Sequence, residues 1–163
     1  GLVSRFDNVV VSRTLSKSYS LAGIRLGWAY ANPGLIAEMM KVKDSYSVNM
    51  LTQALGVEAL RDTEYMRAQA ARIPATRTWV SAQLTELGFD VLPSEANFVF
   101  AAPPRPAADV FVALRERGVL VRYFAQPRVD RYLRVTIGTD EDMSAFMAAI
   151  KDILNHAGGS SDN

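Results

Sequence analysis

The stretch from Thr63 to Leu87 does most to limit how this chain can fold. Its apolar or aliphatic positions are Met66, Ala70, Ile73, Val80, Leu84 and Leu87. They recur about every 3.5 residues if Arg77 lends its aliphatic stem, which is the spacing of one helix face. Thr63 can cap the start, and Gly88 can end the helix in a left-handed turn. Pro74 falls inside, where its ring displaces a carbonyl one turn back, so a kink is expected. A long helix between two differently patterned halves reads as a domain connector. The boundary is expected within residues 64–74 and is placed between 66 and 67.

Downstream, residues 67–157 read as a small α+β domain and residues 158–163 as a flexible tail. "FDVLPSEANFVFAA" reads as one or two strands broken at Pro93 and Ser94. Ala107 to Arg117 reads as a short helix closed by Gly118, and "VLVRYF" and "YLRVTIG" as strands. Thr139 and Asp142 have capping-box spacing before a last helix with Met143, Phe146, Met147, Ile150, Ile153 and Leu154 on one side. Upstream the pattern is sparser. "NVVV" reads as a buried strand, "LGWAYAN" as a second strand, and Asn32-Pro33 as a helix start. Val48 to Arg61 is rich in Ala and Leu and reads as a buried helix. A buried strand needs neighbours on both sides that this segment does not supply. The expectation is a C-terminal portion of a larger protein.

Charge and residue usage remove several function classes. There are 18 Lys plus Arg against 17 Asp plus Glu, too even a balance to draw nucleic acid or an anionic membrane. With no Cys, disulfides and thiolate metal sites are excluded. His156 is the only histidine, so neither a His-based triad nor a metal site is expected. No apolar run approaches the ~20 residues of a membrane span, and no signal-peptide pattern opens the chain. A cytoplasmic setting with no membrane partner is the expectation.

The chemistry concentrates in "SRTLSKSYSLAGIRLGW", residues 12–28. Lys17 stands in a Ser-rich turn after an apolar strand, and Arg25 follows eight positions later. A lysine amine condenses with an aldehyde to a Schiff base once it is unprotonated, which needs its pKa lowered by nearby cations or by burial. An arginine fork suits a phosphate. Thr14 and Ser16 add hydroxyls, and the "SKS" turn adds N–H groups. Such a set could hold a phosphate beside an aldehyde-bearing ring. "GIRLG" matches neither nucleotide-binding glycine loop. On composition alone, Lys17 and Arg25 would be taken as solvated surface residues.

The same stretch resembles the cofactor-lysine signature of the fold-type I pyridoxal-phosphate aminotransferases of class I/II. More narrowly, "RTLSK", "LAGIRLGW", "VKDSY", "ATRTW", "PSEANFVF", "GVLVRYF" and "LRVTIGT" resemble the histidinol-phosphate aminotransferase branch, in order from about Arg5 to Leu154. The resemblance implies an α/β fold: the C-terminal part of a large PLP-binding α/β domain (1–66), then a small α+β C-terminal domain (67–157). It implies pyridoxal 5'-phosphate as cofactor and amino-acid and 2-oxo-acid substrates. Lys17 would bind the cofactor covalently and move a proton at the substrate Cα. Arg25 would bind the phosphate with help from Thr14 and Ser16, and Arg134 would take the substrate carboxylate. Relatives work as homodimers, so a homodimer is expected of the full-length protein.

The pattern of "YLRVTIGT" agrees independently, because alternation puts Tyr132, Arg134 and Thr136 on one face and Leu133, Val135 and Ile137 on the other. The apolar face can rest on the last helix, leaving Arg134 free for a cleft. The family's other cofactor contacts, including the carboxylate for the pyridinium nitrogen, precede the lysine. Asp7, the one acid before Lys17, is not in that context. The chain alone is therefore expected not to complete a turnover. Some members carry a further arginine for a phosphorylated substrate where Ala145 stands, and Arg122, Arg128 or Arg131, or the part of the protein expected upstream, could replace it. The function expected is transamination between histidinol phosphate and 2-oxoglutarate in histidine biosynthesis. The alternatives are an aromatic or other amino-acid aminotransferase or a phosphothreonine decarboxylase of the same fold, or a non-catalytic interaction module.

Overall fold

The computed structural model describes residues 1–156, so the expected tail at 158–163 lies outside the described residues. The chain divides into two compact units, Gly1–Ala70 and a second from Ala71 onward.

The first unit has two short strands and two helices. β1 (Val11–Thr14) pairs antiparallel with β2 (Gly27–Tyr30), with Thr14 opposite Gly27 at the end of the ladder. α1 (Pro33–Val42) begins as expected, with the Asn32 side chain accepting from the Gly34 N–H at 2.9 Å and Pro33 in the first turn. Asn32 also donates to Asp7 at 2.7 Å, which ties the acid before the lysine to this cap. α2 (Met50–Arg61) starts at a cap missed in the sequence: Asn49 accepts from the Thr52 N–H at 2.9 Å.

Two expectations fail here. The "NVVV" run is not a buried strand. The strand begins at Val11, no residue of it is buried, and among the described residues its only partner is β2. Nor is α2 a buried helix, since only Thr52 and Gly56 are buried while Met50, Leu51 and Leu55 are more than half exposed. The cause is common to both: among the described residues nothing covers the second edge of β1 or the apolar side of α2.

The second unit follows the expected order closely. α3 (Thr63–Glu86) carries the division between units within it and runs through Pro74 without interruption. Then come β3 (Asp90–Val91), β4 (Phe98–Ala102), α4 (Ala107–Glu116), β5 (Arg122–Tyr123), β6 (Leu133–Thr136) and α5 (Asp140–His156). The sheet is antiparallel throughout, in the order β3-β4-β6-β5.

One sheet face meets the helices. Val99, Ala101, Leu133 and Val135 are buried against Val80, Leu84, Val110, Leu114, Phe146 and Ile150. Each large side chain so buried contributes about 1.5–3 kcal/mol. Met143, Phe146, Met147, Ile150 and Ile153 of α5 are all buried. The helix start is the expected capping box: Asp142 N–H donates to Thr139 Oγ1 at 3.1 Å and Thr139 N–H to Asp142 Oδ2 at 3.0 Å. A Cβ on Gly138 would meet that carboxylate at 2.7 Å, so the glycine makes room for the cap. The opposite sheet face carries Phe98, Phe100, Arg122 and Arg134.

Candidate active site

The loop from Leu15 to Leu26 is closed at its base by the Thr14–Gly27 pair, which places Lys17 on one limb and Arg25 on the other. The closure continues one step up, where Leu15 N–H donates to the Leu26 carbonyl at 3.2 Å. Gly27 is required there, because an added Cβ would lie 2.7 Å from the Arg13 carbonyl oxygen.

Inside the loop, Leu21 N–H donates to Leu15 O at 3.0 Å and Ser20 N–H to Lys17 O at 2.9 Å. Leu15 is completely buried. A Cβ on Gly56 of α2 would run into Leu26 Cδ2 and meet Leu15 Cδ1 at 4.0 Å, so the missing side chain lets the helix sit on both leucines. The buried Thr52 donates its hydroxyl to the Ile24 carbonyl at 3.1 Å. Two small residues one turn apart on α2 thus hold a Ser- and Gly-rich loop in one shape.

On this support the four expected residues of the lysine loop share one segment. Thr14 Oγ1 donates to Ser16 Oγ at 2.8 Å and accepts from the Ser16 N–H at 3.1 Å. The Ser16 proton therefore remains free to donate to a ligand. Lys17 is exposed, and its amine has no hydrogen-bond or ion-pair partner among the described residues. Arg25 is exposed and left-handed, φ 54°, with Nη1 donating to Ala22 O at 3.1 Å. Glycine would hold that backbone more cheaply, so an arginine there points to a task for its side chain. Its remaining N–H groups are free for an anion. An amine without a partner, a free hydroxyl proton and a guanidinium fit an aldehyde that bears a phosphate.

Arg134 belongs to the second unit. As expected it leaves the apolar face of β6, but it is not simply solvated. Its guanidinium lies over the Phe98 ring, 5.0 Å from the centroid, and its Nε is buried with no hydrogen-bond partner. Across the ladder it stands between Phe100 on β4 and Arg122 on β5. Arg122 in turn lies over Phe124 at 5.2 Å. Neither arginine has a carboxylate partner among the described residues, whereas Arg77, Arg117 and Arg131 pair with Glu95, Asp152 and Asp90. Two facing guanidiniums without an acid repel each other, and an anion between them relieves the repulsion.

Sequence reasoning passed over Thr52 and Gly56 as supports of the loop and Phe98 as the ring beneath Arg134. Alternation along "NFVF" could have placed Phe98 and Phe100 on the face of Arg134. Nothing local marks Thr52. Among the described residues no cluster of His, Cys, Asp or Glu could hold a metal, and no helix is long and apolar enough to cross a membrane.

A loop with an unpartnered amine on one limb and an arginine on the other, followed by a small α+β unit with two facing arginines, narrows the class of protein before any particular one. The sequence model of "Aminotransferase class I and II" matches residues 1–150, and the chain belongs to that family. Within the family it is 50% identical over 157 residues to the histidinol-phosphate aminotransferase of Synechocystis sp., covering 96% of this chain and 45% of that protein. It is likewise 50% identical over 153 residues to the histidinol-phosphate aminotransferase of Geobacter sulfurreducens, covering 93% and 44%. The histidinol-phosphate aminotransferase of Sinorhizobium meliloti, solved in complex with pyridoxal-5'-phosphate, superposes with a TM-score of 0.83 at 25% identity, over 93% of this chain and 42% of that one. The chain therefore spans less than half the length of the curated relatives it matches.

Proposed function

We propose that this chain is part of a pyridoxal-phosphate-dependent aminotransferase that converts histidinol phosphate and 2-oxoglutarate to imidazole-acetol phosphate and glutamate. The reading rests above all on one observation: Lys17 and Arg25 stand on the two limbs of one loop that the chain itself fixes at its base. The 50% identical relatives named for that reaction support it. When bound, pyridoxal phosphate supplies an aldehyde for the lysine and a ring that accepts electrons from the substrate Cα.

The chain's own residues do the rest. Arg25 and the Ser16 hydroxyl hold the phosphate, with Thr14 orienting Ser16. Lys17 holds the cofactor covalently in the resting enzyme. Once released from that bond, the Lys17 amine would take and hold the proton of the substrate Cα as general base and return it as general acid. Arg134 takes the carboxylate of glutamate or 2-oxoglutarate through its planar fork. Arg122, opposite Arg134 on the neighbouring strand, makes the row suitable for a second anionic group such as a substrate phosphate. The complete enzyme is a cytoplasmic homodimer in this reading.

Reductive trapping tests it. Borohydride treatment of the complete enzyme with pyridoxal phosphate should leave a stable phosphopyridoxyl mass on the peptide carrying Lys17. Label on a different lysine would overturn the assignment and favour a non-catalytic module. The aromatic rings around Arg134 also suit an aromatic amino acid, and a donor panel including histidinol phosphate separates the two substrates.

A further inference from the structure

We infer that Phe98 is a positioning residue for the substrate carboxylate, acting through Arg134. The inference rests on the reading of Arg134 given above and adds how that side chain is held. A guanidinium that must receive a carboxylate has to be oriented in advance without being neutralised. An acid would orient it and then compete with the substrate for the same N–H groups. An aromatic ring orients it through its quadrupole and leaves the charge and the fork free.

The second unit contains both solutions. Arg77 is held by the Ala96 carbonyl at 2.7 Å and by Glu95 at 3.1 Å, so both its terminal nitrogens are engaged and its charge is paired. Arg134 has no acid among the described residues. Its guanidinium carbon lies 5.0 Å from the Phe98 centroid, and its Nε is shielded from solvent with nothing to bond. The register supports the arrangement, because Phe100 stands directly opposite Arg134 and Phe98 one step along the same face. Phe98 is itself braced edge-to-face against Phe100, centroids 5.9 Å apart. The backbone beneath is fixed, with Ile137 N–H donating to the Asn97 carbonyl at 2.9 Å.

The consequence is a split between binding and turnover. A ring that acts only through Arg134 should, when removed, weaken carboxylate binding in ground and transition state alike. Phe98→Leu in the complete holoenzyme is expected to raise KM for 2-oxoglutarate roughly 3- to 30-fold, the range of a partly to fully desolvated cation–π contact. The kcat should change much less than KM. Phe98→Tyr keeps a ring and should recover most of the affinity. A second readout needs no turnover: the dissociation constant of 2-oxoglutarate, titrated through the cofactor's visible absorbance, should move by the same factor. An unchanged dissociation constant in Phe98→Leu, together with a raised one in Arg134→Lys, would overturn the positioning role and leave the reading of Arg134 intact. Should neither variant change it, Arg134 is not the carboxylate site and both readings fall. A loss of kcat with KM unmoved, or no recovery in Phe98→Tyr, would make Phe98 a packing residue only.

Discussion

Gly27→Ala is the sharpest test of how the lysine loop is held. The new methyl would lie 2.7 Å from the Arg13 carbonyl oxygen, well inside the about 3.5 Å at which carbon contacts become favourable. The obstacle is backbone in the paired strand, so no side chain can swing aside. The two strands must part at the pair that closes the loop. Overpacking of this kind costs about 1–3 kcal/mol. The bond next to it, Leu15 N–H to Leu26 O at 3.2 Å, is at risk for about 1 kcal/mol more. Against this, alanine stiffens the unfolded chain by about 0.4–1 kcal/mol. The net loss should be about 2 kcal/mol or more. Because Lys17 and Arg25 rise from the strained pair, the affinity for pyridoxal phosphate should fall at least tenfold. Gly23→Ala is the control on the same loop, since nothing lies within 4 Å of its added Cβ. Thermal unfolding and cofactor titration of the complete enzyme would be run on both variants. If Gly27→Ala matched Gly23→Ala in midpoint and affinity, the rigid closure described above would be wrong.

Other expectations follow from single contacts. Thr52→Val keeps the shape but leaves the Ile24 carbonyl unpaired, which should cost about 1–2 kcal/mol and weaken cofactor binding, while Thr52→Ser should recover much of both by titration; equal effects in the two would remove the hydroxyl from the account. Lys17→Ala should abolish the borohydride-trapped phosphopyridoxyl mass seen by peptide mapping. Arg134→Lys, with a fork reduced to a point charge, should raise KM for 2-oxoglutarate roughly tenfold or more with cofactor absorbance retained. The backbone and then the hydroxyl of Thr139 donate to Asp142 and lower its pKa. A lowered pKa in the folded state means the cap's contribution is complete above the ordinary carboxylate value and declines as pH falls through the lowered one. Asp142→Asn should therefore lower the thermal midpoint at pH 7, with the difference shrinking below about pH 4; a pH-independent difference would contradict the cap.

The second unit was legible because its signals are local. Thr139 and Asp142 sit at capping spacing, Gly118 takes φ 74° where the helix before it ends, and the α5 stripe is one face of a helix whose buried positions match it. The loop residues were legible as types and positions, since a lysine and an arginine on the limbs of a turn need no tertiary information to be singled out. What joins Phe98 to Arg134 was not legible. Their contact is diagonal across β4 and β6, and it exists only once the register sets Phe100 opposite Arg134.

Besides the uncovered apolar side, the misreading of α2 has a second element, in which face of the helix meets the loop. Reading by hydropathy assigns Leu51 and Leu55, four residues apart, to the inside. The molecule puts Thr52 and Gly56 there, also four apart and next to them on the helix surface, and leaves the leucines exposed. The inner face has to be small because a loop, not a sheet, lies on it. Leu26 comes so near Gly56 that even one methyl would collide, and the Ile24 carbonyl needs a donor within reach. Close approach and one hydrogen bond position the loop here, where apolar area alone could not. Apolar contact tolerates sliding, whereas a hydroxyl paired with one carbonyl and a helix seated on two leucines fix a single register. The proposed role of Lys17 gives that requirement its purpose: an amine that is to meet an aldehyde repeatedly needs a backbone that does not drift, and Leu15, two residues before it, is the fully buried peg that provides one.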